Sequence, residues 1–441
     1  MGSLSKVIKL NMKISIVLLL VYFLSGSVVL ADESWIDSDA AVADTLIISA
    51  DERERLISLE KEGVLTIRPV VLPVGKYLVG ENHHLGWPVG IKVGDTLLCA
   101  YHQTLRHHGD GPREDEDSSR AMVVRSTDGG ESWSDPIDVT QFGKNTEPLV
   151  LGFGNCFGLL DNSVFFASTY GLHRSEDKGK TWTLLPDALT ERQTGHNYGA
   201  SFGPRMIIHP EMGLVIAAGV TRTPFIDMYH SKDKGMTWVH ERFPLSDTIH
   251  PLEPTAMYHD GRLIFVSRNH ILPFRGHGLI TVPQPPVMMV SDTGWFPMTH
   301  QDLSNISSYR WPDTTDVDFN PVTKRYEAVV TNRSGGALDD EQNEEQEQTV
   351  NLWSLSKRDM YAGRADKWRL EATLLRLESG MMELDPENID AAHPGGGVID
   401  EERGVQHIFI YSGRYATPSG IYRITRVLDT KKLRKTEGAV R

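Results

Sequence analysis

The sequence predicts an all-β chain folded as a β-propeller of six or seven blades. First, an eight-residue motif, Ser-x-Asp-x-Gly-x-x-Trp, occurs three times, at residues 126–133, 175–182 and 231–238. Second, short apolar segments flank turn residues in six successive hairpins. Third, a length of 441 residues suits a single propeller of this size. A motif that returns at intervals of a few tens of residues is typical of propellers and solenoids.

The repeated motif has the composition of a turn between two strands. Asp and Ser side chains accept from nearby backbone N–H groups, Gly adopts a positive φ, and Trp packs the turn against the next blade. A broken fourth copy runs from Ser291 to Trp295. The motif is the Asp-box, so the chain resembles the sialidase-type β-propellers. The resemblance implies that these turns lie on outer hairpins, away from the axis and from any catalytic residue.

Each blade is expected to contain one hairpin made of its first and second strands. The six predicted hairpins cover residues 87–102, 156–170, 205–222, 254–268, 317–332 and 397–411. Segments 45–80 and 356–390 are left for a seventh blade or for a strand that closes the ring. Residues 32–441 are therefore expected to form one propeller domain.

Residues 1–31 have the pattern of a secretory signal. Lysines precede the apolar run of residues 14–24, and small residues precede Asp32. The run is shorter than the roughly 20 residues of a membrane span, so an uncleaved anchor is the less favoured alternative. We expect a secreted or periplasmic monomer that has no contact with the membrane after the signal is removed.

The net charge and the cysteine content limit the partners of the chain. A net charge of −14 argues against nucleic acid and against a purely electrostatic grip on a polyanion. An anionic substrate must therefore meet Arg and His inside a pocket. The two cysteines, Cys99 and Cys156, fall in predicted inner strands and are expected to be buried thiols, with a disulfide or a metal pair as alternatives.

A propeller site is built where first strands begin and second strands end, because these ends share one rim beside the central funnel. The predicted rim carries many His, Tyr and Arg residues, the side-chain types of a polar site. The rim residues are His84, His102, Asn155, Tyr170, His196, Tyr198, Arg222, Glu253, Arg268, Asp316, Arg333, His393 and Tyr411.

The pattern of a sialidase is only partly present at this rim. A sialidase has Arg-Ile-Pro at the start of blade one, where this chain has Gly86-Trp87-Pro88, so the first of three carboxylate-binding Arg residues is missing. Glu253 and Arg268 match the Glu and the second Arg of the family. Blade five opens with Asp316 instead of the third Arg, and His393 replaces the Tyr nucleophile. Sialic acid cleavage is therefore not expected.

Blade one resembles a different group, the propeller polysaccharide lyases that act on ulvan. The resemblance rests on Asn82-His83-His84-Leu85-Gly86-Trp87-Pro88 followed by Ala100-Tyr101-His102. It implies two catalytic His residues flanking the first hairpin, with Tyr and Arg supplied by later blades. This chain departs from the group in one respect, because its Tyr and Arg pair, Tyr198 and Arg222, falls on blade three instead of blade two.

The chemistry of such a lyase calls for these residue types independently. β-Elimination of a uronate needs a carboxylate-neutralising group, a base for the C5 proton and an acid for the leaving oxygen. No metal or organic cofactor is compulsory, and a structural cation is left open. We assign proton transfer to His84, His102, Tyr198 and Tyr170, and substrate binding to Asn155, His196, Arg222, Glu253 and Arg268.

The predicted function is therefore a lyase that cleaves an acidic, uronate-containing polysaccharide, sulfated or unsulfated, which is the expected partner. Two alternatives stay open. One is an exo-glycosidase with a changed substrate, for which Glu253 and Asp110 would supply the two carboxylates that hydrolysis needs. The other is a noncatalytic propeller that binds glycans.

Overall fold

Almost all of the described residues belong to the segment 44–441. The computed structural model describes residues 42, 45–73, 84–104, 120–145, 154–194, 201–219, 223–271, 274–275, 278–279, 282–296, 299–302, 312–332, 348–377, 389–392, 395, 397–414 and 419–434. The chain divides into two units, residues 1–43 and residues 44–441, and the strands lie in the second unit.

In the second unit, a helix and a strand precede the first blade, and short helices follow later in the chain. These elements are α1 (Ala50–Lys61), β1 (Leu65–Val71), α2 (Glu191–Thr194) and α3 (Lys357–Tyr361). Single 3-10 turns span Val139–Phe142 and Ala365–Lys367. Within the described residues, no helix is both long enough and apolar enough to cross a membrane.

The strands form antiparallel sheets that follow one another along the chain. Blade one contains β2 (His84–Val93), β3 (Thr96–Thr104), β4 (Arg120–Ser126) and β5 (Ile137–Asp138). Blade two contains β6 (Asn155–Leu160), β7 (Ser163–Ser168), β8 (Gly171–Ser175) and β9 (Thr183–Leu184). Blade three contains β10 (Ser201–Phe202), β11 (Ile207–His209), β12 (Gly213–Gly219), β13 (Phe225–Ser231) and β14 (Val239–Pro244).

The second half of the chain repeats this organisation. Blade four contains β15 (Pro251–His259), β16 (Arg262–Ile271), β19 (Val282–Ser291) and β20 (Thr299–Asp302), with a small ribbon of β17 (Phe274–Arg275) and β18 (Gly278–Leu279). Blade five contains β21 (Pro312–Asn320), β22 (Arg325–Asn332), β23 (Gln348–Ser356) and β24 (Arg369–Leu377). Blade six contains β25 (Ile389–Ala392), β26 (Val398–Asp400), β27 (Val405–Arg414) and β28 (Ser419–Val427).

The ring is closed by the N-terminal strand. β1 pairs antiparallel with β28, with Ile67 opposite Ile424, and so becomes the outer strand of blade six. The other unassigned segment supplies β24, the outer strand of blade five. The described residues therefore form a six-bladed β-propeller, which confirms the predicted fold class and decides between six and seven blades.

Helix α1 packs beside the closing strand and contacts blade five. Ser49 caps the helix by accepting a hydrogen bond from the backbone N–H of Glu52 at 3.2 Å. The Glu52 carboxylate accepts from Arg55 and from the backbone N–H of Arg376 in β24, and Arg55 donates to the carbonyl of Thr373 at 3.1 Å. The buried ion pair of Glu52 and Arg55 therefore links helix α1 to blade five, while β1 completes blade six.

The hydrophobic core lies between blades, because successive residues of a strand point to opposite faces of its sheet. Described clusters fill the space between blades six and one, one and two, two and three, three and four, and four and five. Cys99 belongs to the cluster between blades six and one, and Cys156 to the cluster between blades two and three. Both thiols are free and buried, so the disulfide alternative is wrong.

The three Asp-boxes have the same geometry. Each begins on the last residue of the strand next to the outermost strand of its blade, namely β4, β8 or β13. In the second copy, Gly179 donates its backbone N–H to Ser175 Oγ at 2.8 Å, and the Asp177 carboxylate accepts from the backbone and the hydroxyl of Thr181 at 2.9 and 2.7 Å. The first and third copies repeat these bonds. The prediction of outer-hairpin turns is confirmed.

The Asp-box tryptophans pack against the preceding blade. Trp182 lies among residues of blades one and two, and Trp238 among residues of blades two and three. Trp133 is only half-buried, and its ring lies 5.9 Å from that of Phe409 in blade six. The broken copy takes the same place in blade four, where Trp295 contacts the cluster shared with blade three.

Candidate functional site

The first strand of blade one is interrupted by a bulge at the rim. Gly86 pairs with His102 and Val89 pairs with Ala100, so the register shifts at Trp87 and Pro88. Trp87 adopts a φ of 50°, which is costly for a large side chain and persists only where neighbours hold it. The bulge therefore changes the direction of the strand at the position where a site residue is expected.

The two predicted catalytic histidines of blade one lie on either side of this bulge. The Trp87 ring centroid is 5.6 Å from that of His84 and 6.1 Å from that of His102. His84 is opposite Thr104 and Gly86 is opposite His102, so both histidines start from the same face of the hairpin. A Cβ on Gly86 would lie 2.9 Å from His84 Cε1, so only glycine leaves space for this ring.

Both imidazoles are buried. His84 is 1 % and His102 is 2 % exposed, so they lie inside the wall of the rim and not on its surface. Burial lowers the pKa of His102 from its ordinary value to about 4. The His102 ring is therefore neutral at neutral pH and can accept a proton.

A tyrosine from each neighbouring blade extends the cluster. The Tyr411 ring of blade six lies 5.8 Å from that of His84, and the Tyr170 ring of blade two lies 6.2 Å from that of His102. The prediction that the second strand of blade two extends to Tyr170 is wrong, because β7 ends at Ser168 and Tyr170 lies in the following turn. Lys144 lies over the Tyr170 ring at 5.1 Å. Tyr170 thus connects the histidine cluster to a cation.

Asn155 begins the first strand of blade two and faces the bulge. Its Nδ2 donates to the carbonyl oxygen of Trp87 at 2.8 Å, and the residue is 3 % exposed. The structure therefore shows this predicted substrate-binding residue in contact with the backbone of blade one.

The rim of blade four has a bulge of the same kind. The register of β15 against β16 shifts between Leu252 and Thr255, and Glu253 adopts a φ of 52° before Pro254. Arg268 Nη1 donates to Glu253 Oε2 at 2.8 Å, and both side chains are largely buried. The two predicted binding residues therefore form an ion pair, and the carboxylate of Glu253 compensates the charge of Arg268.

Asp316 does not lie at the rim, contrary to the prediction from strand boundaries. β21 begins four residues earlier, at Pro312, so Asp316 is inside the strand, where it is 2 % exposed. Its carboxylate accepts two hydrogen bonds from Arg205 of blade three, at 2.9 and 2.8 Å, and one from the backbone N–H of Gly397 in blade six. Burial raises the pKa of Asp316 to about 6 despite Arg205.

Arg205 is the polar residue that the sequence analysis missed. Its Nη2 also donates to the carbonyl of Gly397 at 3.0 Å, and its Nη1 donates to Asp318 at 3.3 Å. On either side of it, Pro204 and Met206 form backbone hydrogen bonds with Phe157 of blade two. Arg205 thus joins blades two, five and six, and no motif in the sequence marked this connection between distant segments.

Several predicted site residues lie outside the described residues, so their assignments stay predictions. They are Asp110, His196, Tyr198, Arg222, Arg333 and His393. Within the described ranges, no group of three or more His, Cys, Asp or Glu side chains is arranged to hold a metal ion.

Comparisons with known proteins identify the class of fold. No protein-family model matches the chain. No curated protein matches its sequence. A Dyadobacter fermentans protein of unknown function is 16 % identical, with a TM-score of 0.53 over 82 % of this chain and 99 % of that protein. A sialidase of Streptococcus pneumoniae is 11 % identical, with a TM-score of 0.53 over 82 % of this chain and 71 % of the sialidase.

A third similar structure is the Trypanosoma rangeli sialidase. It is 10 % identical, with a TM-score of 0.51 over 84 % of this chain and 61 % of that enzyme. At these identities the similarity concerns the fold. The chain therefore has a β-propeller fold of the sialidase type, as the Asp-boxes predicted.

Proposed function

We propose that the protein is a secreted polysaccharide lyase that cleaves a uronate-containing polysaccharide by β-elimination. The observation that supports this best is the cluster of His84, His102 and Tyr170 around the Trp87 bulge. A neutral imidazole and a phenol are the base and acid that elimination requires. The similarity of blade one to ulvan lyases favours an ulvan-like, sulfated substrate.

The proposed reaction uses His102 as the base. Its neutral imidazole takes the C5 proton of the uronate, the electron pair forms the C4–C5 double bond, and the C4–O bond breaks. The leaving oxygen takes a proton from the Tyr170 hydroxyl or from Tyr198. Arg222 is the candidate for neutralising the uronate carboxylate, because Arg268 is already paired with Glu253. Substrate binding must open the aromatic cluster, since both imidazoles are buried.

Hydrolysis is less well supported by the described residues. A glycosidase needs one carboxylic acid and one carboxylate across the scissile bond. Glu253 is paired with Arg268, which favours its ionised form, and Asp316 lies inside a strand, bound to Arg205. Neither carboxyl group is therefore suited to act as a general acid at the rim.

A noncatalytic glycan-binding propeller is the second candidate, because one observation favours it. His84 and His102 are both buried, and buried imidazoles can serve packing alone. In that case the rim would bind an acidic glycan without cleaving it.

One assay separates these functions. The protein without residues 1–31 is incubated with a panel of uronate polysaccharides, and both ultraviolet absorbance and new reducing ends are followed. A lyase raises both signals, because the new double bond is conjugated to the carboxylate. Reducing ends without absorbance would indicate a hydrolase. Binding without either signal would contradict the lyase proposal and support the glycan-binding candidate.

A further inference from the structure

The Trp87 bulge is held from both neighbouring blades. On the side of blade six, Gly90 donates its backbone N–H to the carbonyl of Gly395 at 3.1 Å. A Cβ on Gly395 would lie 1.1 Å from the carbonyl oxygen of Pro88, so the backbones touch and only glycine fits. Blade six therefore limits how far the bulge can move in that direction.

On the side of blade two, a side-chain hydrogen bond reaches the backbone of the bulge. Asn155 Nδ2 donates to the Trp87 carbonyl at 2.8 Å, whereas Asn155 Oδ1 is buried and meets no donor in the part of the chain that the structure describes. A buried amide with one unsatisfied half costs folding free energy. The residue is therefore poorly explained by local packing, and in the described structure its side chain donates to the bulge.

The position of Trp87 determines the surroundings of both imidazoles. Its ring is the common neighbour of His84, His102 and Tyr411. Because its φ of 50° is unfavourable, the bulge relaxes toward ordinary strand geometry unless something holds the Trp87 carbonyl. A rotation of this peptide would move the indole and open the cluster to water.

We infer that Asn155 is a positioning residue for the histidine pair, acting through the carbonyl of Trp87. It fixes the backbone on which the Trp87 ring and the two histidines depend. Its effect on turnover rests on the proposed function, whereas its effect on the environment of His102 does not.

The test measures His102 directly, by NMR titration of histidine-labelled protein. The His102 signal is assigned by its loss in His102→Gln. In Asn155→Ala, and in the milder Asn155→Ser, the His102 midpoint should rise from about 4 by about one unit or more, because water reaches the loosened cluster. Asn351→Ala is the matched control, since Asn351 is also buried and its side chain bonds to Thr349 and Thr373 within blade five.

An unchanged His102 midpoint in a folded Asn155 variant would overturn the inference, as would an equal shift in Asn351→Ala. Failure of both Asn155 variants to fold, while Asn351→Ala folds, would show a structural role instead. If the protein is a lyase, Asn155→Ala should also lower kcat on the order of 10- to 100-fold with little change in KM. If the wild type has no lyase activity, the proposed function fails and the titration still decides the role of Asn155.

Discussion

Trp182→Ala removes a deeply buried Asp-box tryptophan and should destabilise the propeller strongly. Trp182 is 3 % exposed, and its ring lies 6.5 Å from Phe157 and 5.9 Å from Phe166, in the cluster between blades one and two. A large-to-small change at such a site costs about 3–5 kcal/mol. Trp133→Ala should cost less, because Trp133 is more exposed than Trp182 and packs against Phe409.

The measurement is equilibrium unfolding in urea for the wild type and the two variants. The indole N–H groups of Trp238 and Trp182 allow a second comparison, because only one of them has a described acceptor. Trp238 Nε1 donates to the Gly235 carbonyl at 3.0 Å, whereas Trp182 Nε1 is buried and finds no acceptor in the described structure. Trp238→Phe should therefore cost about 1 kcal/mol more than Trp182→Phe. Equal costs for Trp133→Ala and Trp182→Ala, or a changed substrate preference in a folded variant, would refute this account of the Asp-boxes.

Three further predictions follow from buried groups. Arg205→Met leaves the Asp316 carboxylate buried and unpaired, so it should cost about 3–5 kcal/mol in urea unfolding, and adding Asp316→Asn should recover part of the loss. The lowered pKa of His102 means that its imidazole binds more protons in the unfolded chain between about pH 4 and 6.5. The contribution of His102 to stability should therefore fall by about 2 kcal/mol between pH 7 and 5, and His102→Gln should remove that part of the loss. Cys99 and Cys156 should react with a thiol reagent only after unfolding, because burial raises both thiol pKa values.

The sequence predicted those features of the fold that local chemistry encodes. Each Asp-box turn and each first hairpin depends on neighbouring residues, so their positions could be read directly, and the structure confirms them except for strand ends such as those near Tyr170 and Asp316. The number of blades could not be read, because β1 pairs with β28 at the opposite end of the chain. Pairing between such distant segments leaves no local pattern.

The site was predicted less completely for the same reason. His84 and His102 belong to one hairpin, so their proximity to the same bulge followed from register. Two contacts join different blades: the bond from Asn155 to the Trp87 backbone and the buried ion pair of Arg205 with Asp316. Predicted strand boundaries placed Asp316 at the rim, which was wrong. Contacts across the ring depend on how blades pack, which residue spacing does not specify.

The central claim is that the imidazoles of blade one perform the chemistry, and the turnover of His102→Gln on a uronate polysaccharide tests it most directly. His407→Gln is the matched control, because His407 is equally buried at 2 % exposure, has a pKa lowered by burial to about 3, and bonds to Thr425 away from the Trp87 bulge. We expect His102→Gln to lower kcat about 100-fold or more with little change in KM, and His407→Gln to keep wild-type turnover. Full activity in a folded His102→Gln protein would contradict the claim.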